Sequence, residues 1–127
     1  MPENHTIKHA NGVTTIRLTR KLSLDDVLQV LDEVARTETS NRRLWDVTGQ
    51  VDLSTQELKQ IAARARALWP GAARVAYVAA DPLSFGLLRM FEVFQEQSEV
   101  SQQQEEYSTK VFREPGAARA WLEAWVE

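Results

Sequence analysis

Asp46 and Asp81 are the side chains best placed to do chemistry, because each lies at or just past the C-terminal end of a strand-like run. Open α/β sheets bind ligands along that edge, so two carboxylates there could act as an acid–base pair or hold a cation. Both also have plainer roles. Asp81 stands where a helix N-cap belongs, and Asp46 where a strand-end carboxylate accepts backbone N–H groups. No accompanying histidine, lysine or glycine-rich loop completes a reactive set around them.

Ser54 and Thr55 are the second candidates. Ser54 precedes Glu57 by three residues, the spacing of a capping box, and the cap alone is worth ~1 kcal/mol. A phosphate on that serine would meet the free N–H groups and positive end of the helix, so modification is physically cheap there. His5 and His9 are the only histidines and lack a metal-ligand spacing; they read as surface residues of the first strand. The chain has no cysteine, which excludes thiol catalysis, disulfides and cysteine-bound zinc. Neither GxGxxG nor GxxxxGK[ST] occurs, so nucleotide binding lacks its cradle. No cofactor, no metal and no enzymatic activity are expected.

The bulk numbers fit one domain. With 127 residues, 43% hydrophobic and 26% charged, the chain can bury a core without metal or disulfide support. Fifteen basic residues against 18 acidic ones give a net charge of -3, which argues against a nucleic-acid partner. The start, MPENHTIKHANG, holds no apolar signal region, and no apolar run reaches the ~18 residues of a membrane span. A protein of a reducing cytoplasm is the expectation.

The elements that position the candidates follow from local signals. Thr6 to Ala10 and Val13 to Leu18 read as a hairpin around Asn11-Gly12, the dipeptide of a type I′ turn. Ser23 with Asp26 caps a helix whose inward stripe is Leu24, Val27, Leu28, Leu31 and Val34. Thr19 to Leu22 connects the two. Arg43 to Val47 is a short strand ended by Thr48-Gly49. The helix begun at Ser54 turns Leu58, Ile61, Ala62, Ala65 and Leu68 inward, with Arg64 and Arg66 outward, and Trp69-Pro70-Gly71 breaks it.

Val75 to Ala79 is an apolar strand buried on both faces, and Pro82 then fills the first position of a third helix. Its expected core stripe is Leu83, Leu87, Met90, Phe91 and Phe94. Gln95 to Ser108 reads as a short helical extension followed by a mobile loop. Thr109 to Arg113 is a last strand, and Pro115 starts a last helix that packs Ala117, Ala118, Trp121, Leu122 and Trp125 inward. The order is ββαβαβαβα, an α/β fold with a mixed, mostly parallel sheet of about five strands and helices packed on it.

Phe85-Gly86-Leu87-Leu88-Arg89-Met90-Phe91-Glu92, together with VFRE (Val111 to Glu114) and ARAWL (Ala118 to Leu122), resembles the STAS-like group of small bacterial proteins related to SpoIIAA. These are often labelled STAS/SEC14-domain proteins, and the resemblance spans Ile7 to the end. It implies a five-stranded sheet with helices over it and no settled biochemical activity. One kind of relative, the anti-anti-sigma factors, is switched by phosphorylation of a serine at the start of the second helix, where Ser54 and Thr55 lie here. The local text, VDLSTQEL, departs from the Asp-Ser-Ser-Gly-like sequence of those proteins. The other kind, the Sec14 type, holds a lipid in an apolar cleft and is a longer chain.

The third helix carries an apolar surplus. Beyond the expected core stripe, Phe85 and Leu88 are apolar too, so this helix must bury a second side. Neighbouring helices, a second subunit in a homodimer, a regulatory protein partner or a small apolar ligand would each do so. Gly86 permits close approach, and Arg89 beside it could meet an acidic group. A protein-interaction module is the leading expectation, with a carrier of a small apolar ligand as the alternative.

Overall fold

The computed structural model describes residues 5–19, 23–37, 40–48, 53–69, 71–97 and 107–125. Its strands are β1 (His5–Ala10), β2 (Val13–Leu18), β3 (Arg42–Val47), β4 (Ala73–Val78) and β5 (Tyr107–Phe112). The helices are α1 (Leu24–Ala35), α2 (Thr55–Leu68), α3 (Pro82–Gln97) and α4 (Pro115–Glu123). The five strands lie side by side in chain order, with β1 antiparallel to β2 and every later pair parallel. The expected ββαβαβαβα order and mixed, mostly parallel sheet are both present.

Chain-order winding decides where the helices go. Each crossover steps to the next strand in the same direction, so crossovers of one hand leave α1, α2 and α3 on one face. The main core lies between that layer and the sheet, through Ile16, Val34, Trp45, Leu58, Ile61, Val75, Tyr77, Phe91 and Val111. α4 takes the opposite face over a smaller core of Val13, Leu44, Ala76, Val78, Ala118 and Leu122. β4 is sandwiched between the two, which is why it is apolar on both sides.

Local chemistry fixes the joints. Asn11 and Gly12 both take positive φ, 54° and 76°, as a type I′ turn requires. Ser23 with Asp26 and Ser54 with Glu57 each form a complete capping box.

α4 is tied down by two arginines that are register neighbours on β3 and β4. Arg42 Nε donates to the Leu122 carbonyl at 3.1 Å, and Arg74 donates to that of Trp121 at 2.9 Å. Both guanidinium groups also lie over indole rings, Arg42 over Trp125 and Arg74 over Trp121. Cations at a helix C-terminus face its negative dipole end and its unpaired carbonyls.

Several expectations need correction. Arg66 is not on the outer face of α2; it is buried at 3% exposure and donates to the Trp69 carbonyl at 3.2 Å. Val30 belongs to the buried face of α1, and Ala117 of α4 is exposed. In α3, Leu83 and Met90 do not face the core; they are 67% and 40% exposed. Tyr107 and Ser108, expected in the loop, are the first residues of β5. The positions of Leu22, Gly49, Pro70, the side chain of Phe94 and residues 98–106 of the expected Gln95 to Ser108 stretch fall outside the described residues.

Candidate functional site

The two aspartates are engaged separately. Asp46, on the sheet face opposite α1–α3, lies 3.4 Å from Arg17 Nε on the adjoining β2. Asp81 caps α3: the Ser84 N–H donates to its Oδ2 at 3.0 Å, and the Phe85 N–H to its carbonyl at 2.8 Å. Among the described residues no hydrogen bond or ion pair joins the two carboxylates, and no group of three or more His, Asp or Glu could hold a metal. Asp81 fills its plainer reading as a helix cap, whereas the contact of Asp46 is an ion pair with Arg17 rather than the expected strand-end bonds to backbone N–H groups.

Ser54 is exposed and acts as the N-cap of α2. Its Oγ accepts from the Glu57 N–H at 3.1 Å while the Glu57 carboxylate accepts from the Ser54 N–H at 2.9 Å. Thr55, also exposed, reaches the neighbouring helix, its hydroxyl donating to Met90 Sδ at 3.8 Å. That contact links the start of α2 to the outer side of α3.

α3 is where the candidates gather, though turned from its expected orientation. Ser84, Leu88 and Phe91, spaced i, i+4 and i+7, face the sheet at 1%, 7% and 5% exposure. Leu88 is therefore a core residue and not part of an outer patch. Phe91 meets Tyr77 edge to face, with ring centroids 5.2 Å apart. Phe85 is half-buried on the flank, its ring under the Arg113 guanidinium at 4.6 Å. Arg89 points to solvent and lies 4.0 Å from Glu92 one turn on.

The outer side of the same helix is apolar as well. Leu83, Met90 and Val93 are the exposed large hydrophobic residues among those described, at 67%, 40% and 44%. They fall at i, i+7 and i+10 of one helix, and exposed Gly86 completes the stripe at i+3. A Cβ on Gly86 would meet nothing within 4 Å. The sequence held this stripe in plain view, but with apolar residues on so many sides of α3 it did not say which side was out.

A second surface feature lies at the opposite end of β2. An open groove of about 390 Å³ runs beside the hairpin turn, past His9, Gly12, Thr14 and Ser40. Several of its polar groups bond one another. Thr14 Oγ1 accepts from the Ser40 N–H at 2.9 Å and bonds His9 Nδ1 at 3.0 Å, while Ser40 Oγ donates to the Gly12 carbonyl. His5, on the same strand as His9, pairs with Glu33 of α1 at 2.9 Å. These contacts hold the hairpin to its neighbours.

No protein-family model matches this chain, and no characterised protein matches it in sequence. Among the described residues, no helix is long and apolar enough to cross a membrane.

Proposed function

We propose that this protein is a non-enzymatic regulatory or protein-interaction module of STAS-like architecture, which presents the outer side of α3 to a partner protein. One observation carries the reading: among the described residues, the large hydrophobic side chains left in water line up on a single helix face instead of being scattered. Single exposed apolar residues are ordinary, whereas a continuous stripe signals a surface that is covered in use. Thr55 and Arg89 give that stripe a polar rim, as partner surfaces generally have. The STAS-like assignment is supported by the ββαβαβαβα order and by the α3 and C-terminal motifs. Leu88 and Phe91 fill the space between α3 and the sheet, which favours a partner outside the helix over a ligand beneath it.

Leu83→Glu combined with Met90→Glu tests this. Both side chains point outward, so the fold should survive with its circular dichroism unchanged. In a native cell extract, gel filtration should show the wild-type chain eluting above the 14.4 kDa monomer and the double variant shifted to it. Identical elution of both would overturn the proposal.

A further inference from the structure

We infer that Met90 is a site of oxidative modification and that the Thr55 hydroxyl receives the added oxygen, so that methionine sulfoxide at position 90 fastens the start of α2 to the outer side of α3. The inference does not depend on α3 having a partner.

Sulfur is scarce in this chain, which makes its placement selective. There is no cysteine, and the two methionines are Met1, at the first position, and Met90 in α3. Among the described residues, a mild two-electron oxidant such as hydrogen peroxide therefore has one sulfur to attack. Methionine ordinarily serves a core as an adaptable filler of gaps. Met90 has no such place. It is 40% exposed, which opens its thioether to a small peroxide and leaves room for one more atom.

The second observation is what this sulfur touches. The Thr55 hydroxyl donates to Met90 Sδ at 3.8 Å, from one helix to the next. A thioether is a weak acceptor, so the contact holds little as it stands. Hydrogen peroxide transfers one oxygen to it. A sulfur lone pair forms the S–O bond, the O–O bond breaks, and the departing hydroxide takes the proton of the transferred hydroxyl and leaves as water. Sulfur is oxidised and the peroxide is reduced. The new oxygen carries concentrated negative charge, and in the epimer that faces Thr55 it enters the space between sulfur and hydroxyl. A weak contact to sulfur thereby becomes an O–H···O hydrogen bond. Thr55 is the first residue of α2, beside the Ser54 cap, so that bond ties two helices together at one corner. Enzymatic reduction of the sulfoxide would release it.

The test is thermal melting of the purified full-length protein before and after hydrogen peroxide, with peptide mass mapping to locate the added oxygen. Position 90 should take up one oxygen while circular dichroism remains that of the folded chain. Thr55→Val keeps the branched shape and removes the hydroxyl, and Thr55→Ser keeps the hydroxyl. Oxidation should cost Thr55→Val about 3–6 °C more in Tm than it costs the wild type, the scale of one hydrogen bond in a domain of this size. Thr55→Ser should follow the wild type, and Met90→Leu should melt at the same temperature with or without peroxide.

Met90 left reduced under conditions that oxidise free methionine would overturn the modification site. Equal shifts on oxidation in wild type and Thr55→Val, or a Thr55→Ser that behaves as Thr55→Val, would overturn the receiving role of Thr55. A peroxide-induced shift that persists in Met90→Leu would place the sensitive group elsewhere and overturn the inference.

Discussion

Leu88→Glu is expected to unfold the protein or to lower its stability by several kcal/mol, whereas Leu83→Glu should change it by no more than about 0.5 kcal/mol. The two residues are neighbours on the same helix, five positions apart, and similar in sequence context. They differ in what surrounds them. Leu88 is 7% exposed in the core that joins α3 to the sheet, and a carboxylate there would lose its hydration without gaining a described cationic partner. Leu83 is 67% exposed, so a carboxylate at that position keeps its water. A native stability of the ordinary ~5–15 kcal/mol leaves little margin for the first change and ample margin for the second. Urea denaturation of both variants reads the difference directly. Equal costs would mean that α3 is turned otherwise about its axis.

Leu122→Ala should cost about 2–5 kcal/mol, although it lies in the smaller of the two cores. Leu122 is 0% exposed and, with Ala118, supplies the buried apolar contacts by which α4 covers its face of the sheet. Truncating it leaves a cavity against Leu44 and Val78 that alanine neighbours cannot fill. The loss should also loosen the C-terminal turn, since Arg42 and Arg74 reach the Leu122 and Trp121 carbonyls only while α4 is seated. Tryptophan emission reports it, because Trp121 and Trp125 sit beneath those arginines. A cost below about 1 kcal/mol with unchanged emission would contradict the docking of α4 described above.

Most of the fold was legible because its signals are local. Asn11-Gly12, the capping boxes at Ser23 and Ser54, and Asp81-Pro82 each act within a few residues, so they can be read without the rest of the chain. The rotation of α3 could not be read that way. Apolar residues occupy so much of its circumference that Leu83, Leu87 and Met90 make as good a helical stripe as Leu88 and Phe91. Ser84, at 1% exposure, also counts against its true inward face in any hydropathy pattern.

Arg66 misleads for a related reason. Its stem is covered while its guanidinium finds the Trp69 carbonyl, so a charged residue occupies a buried position. The roles of Arg42 and Arg74 depend on strand register and on where α4 returns, which no spacing within one element encodes. Asp46 and Asp81 show the converse. Their types suggested chemistry, and their surroundings give them an ion pair and a helix cap.

The most direct test of the central claim, that the outer side of α3 is covered by a partner, is site-specific photocrosslinking. A benzophenone side chain placed at Met90 is activated in living cells, with one at exposed Gln29 of α1 as the control. A single discrete product is expected from position 90 and none from position 29, at twice the mass of the chain if the partner is a second copy. Absence of an intermolecular product from position 90, or the same products from both positions, would contradict it.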